Sequence, residues 1–436
     1  MHNIDIDFDI SLDEIAKIEG AASLDIKIRK GKIEDLKFSI NEWKRFYTQA
    51  ILGKPAVAVP QLVARICGTC SNAHLLASIE AVENAFNITP SDQTMLLRKL
   101  LYYGLIIRDH ALHLYIFSLP DLLGKNSILD FDEKIPTEHE LLEDTFSVKE
   151  VGNQLSIVVG GRSVHAPMPT VGGFLKLPML VDLKSQIPKL KEIRPKILKL
   201  IDLFANDHSD YTLKSPLSYC ALTSKDFSFL EGLIETSDGY TVQEKDFGKH
   251  LDAVIIPYSQ ARGFKFDGNM FMVGAIARLN LAKNNLNPKT IESTSKHLEN
   301  FPTNNLFHNN IAQAIEIVHA IDSSIEIIES LTEIKPEKPI KPLFKETIGV
   351  GLIEAPRGTL YYKLEINQDG TIKHGDIVVP TGQNQIVMEK GIFELVEKLI
   401  AIEIPKNQIV MEIEKFIRAF DPCMSCAAHF LKVKWK

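Results

Sequence analysis

Two short runs, CGTC at 67–70 and CMSC at 423–426, hold four of the chain's five cysteines. Each C-x-x-C pair offers two sulfurs, and the two pairs can serve one site only if regions near both ends of the chain meet. That requirement constrains the fold more than any other feature. In DPCMSCAAHF, Asp421 suits an N-cap and Pro422 a first helical position, after which Cys423, Cys426 and His429 recur every three residues on one helical face. Upstream, Cys70 and His74 lie four apart at the start of the next helical pattern. Both pairs are thus expected at helix N-termini, where backbone N–H groups and the positive dipole end favour thiolate over thiol.

Spacing alone leaves several chemistries open. One C-x-x-C is often a redox pair, and two can form a structural zinc site or hold an iron–sulfur cluster. Zinc knuckles usually separate their pairs by roughly 15–20 residues, far less than here. The fifth cysteine, Cys220 in LSYCAL, reads as a small buried hydrophobe. Five cysteines in 436 residues make no disulfide scaffold, and free thiols fit a reducing cytoplasm. A net charge of −7 argues against a nucleic-acid partner. The most apolar run, LLYYGLIIRDHALHLYIF, carries Arg108, Asp109 and two histidines, so no transmembrane segment is expected. The acidic start MHNIDIDFDISLDEI lacks the order of a signal peptide.

The periodicities give an α+β, helix-rich chain forming one domain over 1–436. Alternation on both sides of Lys30-Gly31 predicts an N-terminal β-hairpin within about 20–42, and a second hairpin is expected around Asp369-Gly370. Helical spacing follows the first cysteine pair and recurs at about 92–117, 182–206, 308–332 and 388–403, with a C-terminal helix at about 421–430. The proline-spaced EIKPEKPIKPLFK, about 333–345, reads as an extended connector. GVG at 349–351 lacks the rest of a dinucleotide fingerprint.

RICGTCSNAH followed near the C-terminus by DPCMSCAAH resembles the catalytic large subunit of nickel–iron hydrogenases. The resemblance spans essentially the whole chain, through KIEGAASLDI (17–26), HALHLYIFSLPD (110–121), GGRSVHAPMPTVGGF (160–174), FMVGAIAR (271–278), EAPRG (354–358) and VPTGQN (379–384). Its shortness and HALHLY are similar to the soluble cytoplasmic, sulfhydrogenase-like branch. The resemblance implies a fold with a central helical core and peripheral hairpins, and heterolytic cleavage of dihydrogen, or its reverse.

By the same resemblance Cys67, Cys70, Cys423 and Cys426 would bind nickel, with Cys70 and Cys426 also bridging to an iron that carries carbon monoxide and cyanide. Arg357 would lie over the open coordination position, with Asp109 and Asp421 fixing its plane, and Glu19 would be the proton-exit carboxylate. His74 would donate toward the bridging thiolates. Taken without the family, Glu19 is a turn carboxylate, Arg357 a surface arginine, Asp109 a partner for Arg108, and His110 and His113 core histidines. The family's second metal, magnesium or iron at the final histidine, would fall at His429. Thr48 stands where a ligating glutamate is usual, and a neutral oxygen binds a hard dication far less well. The residues 430–436 after His429 imply an unprocessed form or a retained tail.

Four cysteines in the centre leave only Cys220, and a cluster normally needs about four ligands. Electrons must therefore leave through an iron–sulfur small subunit, expected near the Cys67–Cys70 helix, with further flavin or iron–sulfur subunits beyond it. Maturation proteins would assemble the iron unit. Two alternatives are a hydrogen-sensing relative with the same centre and a structural zinc tetrathiolate protein; the related quinone-reductase core subunits lack the four cysteines.

Overall fold

The computed structural model describes residues 7–428. Its N-terminal sheet has three antiparallel strands, β1 (Phe8–Leu12), β2 (Ala22–Arg29) and β3 (Lys32–Ile40), in that order. Ala22, Leu24, Ile26 and Ile28 alternate inward on β2. Burying each leucine or isoleucine contributes about 1.5–3 kcal/mol. The turn at Lys30 and Gly31 uses two left-handed backbones, as the hairpin requires. The predicted hairpin is present, with β1 added along its edge.

α1 (Ser71–Phe86) starts at Cys70, which occupies the N-cap. α2 (Asp92–Ala111) is capped by Ser91, whose hydroxyl accepts from the Thr94 N–H. The predicted 92–117 helix changes winding at its end: Leu112–Ser118 is a π-helix. α3 (Pro136–Gly160) runs against α2, and α4 (Ala275–Ala282) and α5 (His308–Ser330) complete the buried helical layer. The predicted 182–206 helix forms as two pieces, Leu180–Lys184 and Gln186–Ala205. The connector from Ser330 to Thr347 carries no helix or strand.

A second antiparallel sheet follows: β4 (Thr347–Ala355), β5 (Gly358–Ile366) and β6 (Ile372–Val378). Gly349 and Gly351 explain why α1 lies so close to it. A Cβ at these positions would sit 1.9 Å from the Ala81 carbonyl oxygen and 2.1 Å from that of Ala77. GVG is thus a landing strip for a helix rather than part of a phosphate loop. Side chains on the two faces of this sheet enter different apolar clusters: Tyr362 joins the main core with α1, and Tyr361 joins a smaller one with Phe247, Phe264 and Phe266. Cys220 belongs to that smaller cluster and is fully buried, as its sequence context suggested.

The chain returns through α6 (Pro380–Ala401) and α7 (Lys406–Ala419), where Ile409, Ile413, Phe416 and Ile417 form the buried stripe. The last described helix, α8, is short: Met424–Ala427, with Cys423 as N-cap. This corrects the expected 421–430 helix and the expected capping role of Asp421. Asp421 instead adopts a left-handed backbone at φ 49° and turns its carboxylate inward. Among the described residues no helix is long and apolar enough to cross a membrane.

Candidate metal centre

The first cysteine loop is held between α1 and α2. Arg108 donates to the Thr69 carbonyl from α2, so its guanidinium grips the loop rather than pairing with Asp109. The second loop follows α7. Its end is pinned by Arg418, which binds both carboxylate oxygens of Asp121 and donates to the Ala16 carbonyl. Lys17 reaches the same Asp121, and this ties the segment before Glu19 to the end of α7. Glu19 then bridges to Cys423 in parallel, its carbonyl accepting from the Met424 N–H at 2.8 Å. The Cys423 N–H is anchored by the Thr381 hydroxyl at the start of α6.

These constraints bring the four sulfurs together. Cys67 Sγ lies 3.4 Å from Cys423 Sγ, Cys70 Sγ 3.1 Å from Cys426 Sγ, and Cys423 Sγ 3.0 Å from Cys426 Sγ. All four ligand atoms lie within 4.8 Å of one another and all four residues are buried. None forms a disulfide. Metal–sulfur bonds of about 2.3 Å in a tetrahedron would set the sulfurs about 3.8 Å apart, so the cluster needs little expansion to hold an ion. Hydrogen bonds from Cys423 and then Cys426 hold the Cys67 thiol well below its usual range. Burial, then the neighbouring sulfurs, pushes the Cys423 thiol up. Four adjacent thiolates cannot share this buried space without a cation, and the soft donors select a soft or borderline one.

Arg357 occupies the two-residue turn between β4 and β5. Its Nη1 donates to Asp109 at 3.0 Å, and its Nη2 donates to Asp421 at 2.9 Å and to Asp109 at 3.3 Å. Burial opposes its charge, but the two carboxylates outweigh that and hold it fully protonated. Its buried Nε–H has no hydrogen-bond partner among the described residues. A cavity of ≈10 Å³, near the size of one water, lies between this arginine and the sulfurs, walled by Ala355, Pro356, Leu360 and Pro380. A small space lined by Arg357 and by Cys70, Cys423 and Cys426 fits a compact group with acceptor atoms.

His74 Nε2 lies 3.5 Å from Cys426 Sγ, while Nδ1 meets the Tyr362 hydroxyl at 2.7 Å. Glu19 is half-buried; its Oε2 lies 2.9 Å from Cys423 Sγ and accepts from the Ser425 N–H at 3.1 Å. Burial first, then the Cys67 charge, raises its pKa.

The family comparisons agree with this geometry. Residues 47–154 and 225–429 match the family described as nickel-dependent hydrogenase. The chain belongs to that family. It is 31% identical to the alpha chain of sulfhydrogenase 1 from Pyrococcus furiosus, over 97% of this chain and 98% of that protein. It is 26% identical to one chain of the F420-non-reducing hydrogenase of Methanothermobacter thermautotrophicus, over 96% and 94% respectively. A solved NAD+-reducing [NiFe]-hydrogenase, in its H2-reduced state, superposes with a TM-score of 0.82 at 22% identity, covering 97% of this chain and 99% of that one. The chain is therefore a hydrogenase large subunit, an oxidoreductase acting on hydrogen, with the helix-rich fold expected from its motifs.

Of the site residues expected in this hydrogenase, the structure gathers Cys67, Cys70, Cys423, Cys426, Glu19, His74, Asp109, Arg357 and Asp421 around one point. His429 lies outside the described residues. Thr48 is on the short helix Tyr47–Ala50, and neighbouring Arg45 bonds Ala428 and Ser425, so this segment does border the C-terminal loop. Tyr362, Thr381 and Arg108 contact the site without having been singled out. Their only sequence signal was membership of, or adjacency to, the matched motifs. His110 and His113 are core histidines, bonded to Glu316 and Gln313.

Proposed function

We propose that this hydrogenase subunit holds a nickel–iron centre on Cys67, Cys70, Cys423 and Cys426, the iron carrying carbon monoxide and cyanide, and passes electrons to an iron–sulfur small subunit. The observation that carries the reading is the buried four-sulfur cluster, three of whose cysteines, Cys70, Cys423 and Cys426, line a small cavity together with Arg357. When bound, such a centre supplies heterolytic cleavage of dihydrogen.

The chain's own residues do the rest. Cys423 Sγ is the proton station nearest a carboxyl, and Glu19 Oε2 takes or returns that proton at 2.9 Å. A raised pKa suits Glu19 to exchange protons rather than remain a fixed anion. Its partly buried position, between the buried sulfur and the surface, suits it to pass that proton toward water. Arg357 stays charged; it orients and polarises without exchanging protons. Asp109 and Asp421 hold its plane, and His74 Nε2, 3.5 Å from Cys426 Sγ, would orient that sulfur as a ligand.

Gly68 brings the first cysteine loop to the surface, and Trp43, Phe46, Leu52 and Val57 are exposed in the stretch leading to it. Exposed apolar side chains in the stretch before the cysteine loop suit docking of the small subunit, with further flavin or iron–sulfur subunits beyond it and a cytoplasmic setting. Maturation proteins would deliver the iron unit. With Thr48 in place of a carboxylate, magnesium or iron at His429 is disfavoured. Metal analysis together with infrared absorption in the carbon monoxide and cyanide stretching region tests the reading. Nickel, iron and sharp bands in that region support it; zinc alone without bands refutes it.

A further inference from the structure

The triad of Arg357 and its two aspartates is itself held by a second layer of buried polar residues. α2 with its π-helical end and α5 run antiparallel, and two rungs join them. His110 Nε2 meets Glu316 Oε2 at 2.8 Å, and His113 Nδ1 meets Gln313 Oε1 at 2.5 Å. Each rung leads to a different part of Arg357.

The first leads to its backbone. Arg278, on α4, is 2% exposed. Its Nε and Nη2 bond both oxygens of Glu316 at 2.6 and 2.7 Å. Nη1 donates to Glu354 Oε2 at 2.8 Å and to the Ala355 carbonyl at 3.0 Å, while Nη2 also reaches the Pro356 carbonyl at 3.0 Å. All five guanidinium donors are thus spent, two of them on the carbonyls of the two residues preceding Arg357. Glu354 closes the turn from the other side, accepting from the Thr359 hydroxyl at 2.6 Å. The second rung leads to the side chain. Gln313 Nε2 donates to Asp421 Oδ2 at 2.8 Å, while Asp421 Oδ1 accepts from Arg357 Nη2. Because its amino group faces a carboxylate, the Gln313 amide has one sensible orientation, with its oxygen toward His113.

We propose that Arg278 and Gln313 are positioning residues for Arg357: Arg278 fixes the turn that carries it, and Gln313 fixes the carboxylate that aims it. The inference rests on the role given above to Arg357. The hydrogen bonds of both residues run to the arginine's supports and not to the sulfurs, so both act through the arginine. A lysine at 278 keeps the charge but has three donors radiating from one atom, and it cannot bond Glu316, Glu354 and both carbonyls together.

Two measurements test this, one in the assembled enzyme and one in the large subunit without metal. Arg278→Lys and Gln313→Met should each lower dihydrogen turnover per bound nickel at least about tenfold, with the KM for dihydrogen within about twofold. In an Arg357→Lys background the same substitutions should cost less than about twofold, since the group they aim is already altered. An equal fold loss in both backgrounds, or no loss per nickel, overturns the proposal. In the metal-free chain, amide exchange of the peptide spanning 352–362 should accelerate at least about tenfold in Arg278→Lys while the α7 peptide is unchanged. Unchanged exchange there overturns the clamp. If Arg278→Lys does not fold, Gln313→Met decides through the turnover cycle. Absence of hydrogenase activity in the unmodified enzyme refutes the functional reading instead, and the exchange measurement still judges the clamp.

Discussion

Replacing Glu19 by glutamine isolates the proton route from everything else at the centre. The two side chains are nearly isosteric, so the amide oxygen can keep the 3.1 Å bond from the Ser425 N–H. What disappears is a titratable oxygen 2.9 Å from Cys423 Sγ. Among the described residues, the other side-chain hydrogen-bond partners of that sulfur are the three remaining cysteines of the cluster, which are buried and cannot carry a proton outward to water. A positioned acid–base group contributes about 10²–10⁴ in rate, or about 2.7–5.5 kcal/mol of barrier. No second carboxyl among the described residues bonds Cys423 Sγ to replace it. Glu19→Gln should therefore slow hydrogen–deuterium exchange with water at least about a hundredfold per nickel. Metal content should not change. Stability should hold or rise slightly, because burial already disfavours the charged carboxylate that the amide removes. Glu19→Asp keeps the carboxyl but withdraws it by one methylene, and should recover part of the rate. The assay is mass-spectrometric isotope exchange normalised to nickel. A Glu19→Gln enzyme exchanging within about twofold of the unmodified one would refute the route.

Cys426→Ser should abolish stable nickel loading, because one of four converging soft donors is replaced by a hard hydroxyl; elemental analysis of the purified protein checks this. Glu244, pushed up to about 7 by burial, should make stability fall as pH rises from about 4.5 through about 7, since the folded state holds the proton longer. Glu244→Gln should thus raise the melting temperature at pH 8 and leave it nearly unchanged at pH 4, measured by thermal denaturation. Gly351→Ala places a methyl 2.1 Å from the Ala77 carbonyl and should cost at least about 1–3 kcal/mol in denaturant melts, displacing the cysteine-bearing helix α1 and lowering nickel uptake.

Local chemistry made much of this structure legible. The hairpin at Lys30-Gly31, the helix opening at Cys70 and the meeting of the two cysteine pairs all follow from short-range pattern plus one long-range demand. Where the sequence was silent, the cause is usually distance along the chain. The N-terminal stretch read only as acidic and unlike a signal peptide, and nothing local says that Phe8–Leu12 adds an edge strand to the hairpin. Asp421 looked like a cap because its neighbours favour one; its carboxylate instead accepts from Arg357, 64 residues upstream. The Arg278 contacts span 38 residues to Glu316 and 76 to Glu354, and no periodicity within the two helices or the strand announces them. The glycines of GVG carried a real signal, close approach of backbone, yet only the packed helix shows what approaches.

The cross-pairing of Cys67 with Cys423 spans 356 residues of chain. At about 5–20 residues per second, the ribosome takes roughly 20–70 s to make the second half of the site after the first has emerged. For that interval Cys67 and Cys70 are a lone dithiol, open to oxidation and to any adventitious soft ion. Biosynthesis thus exposes the future centre before it can be sealed, and the first pair waits longest for its partners.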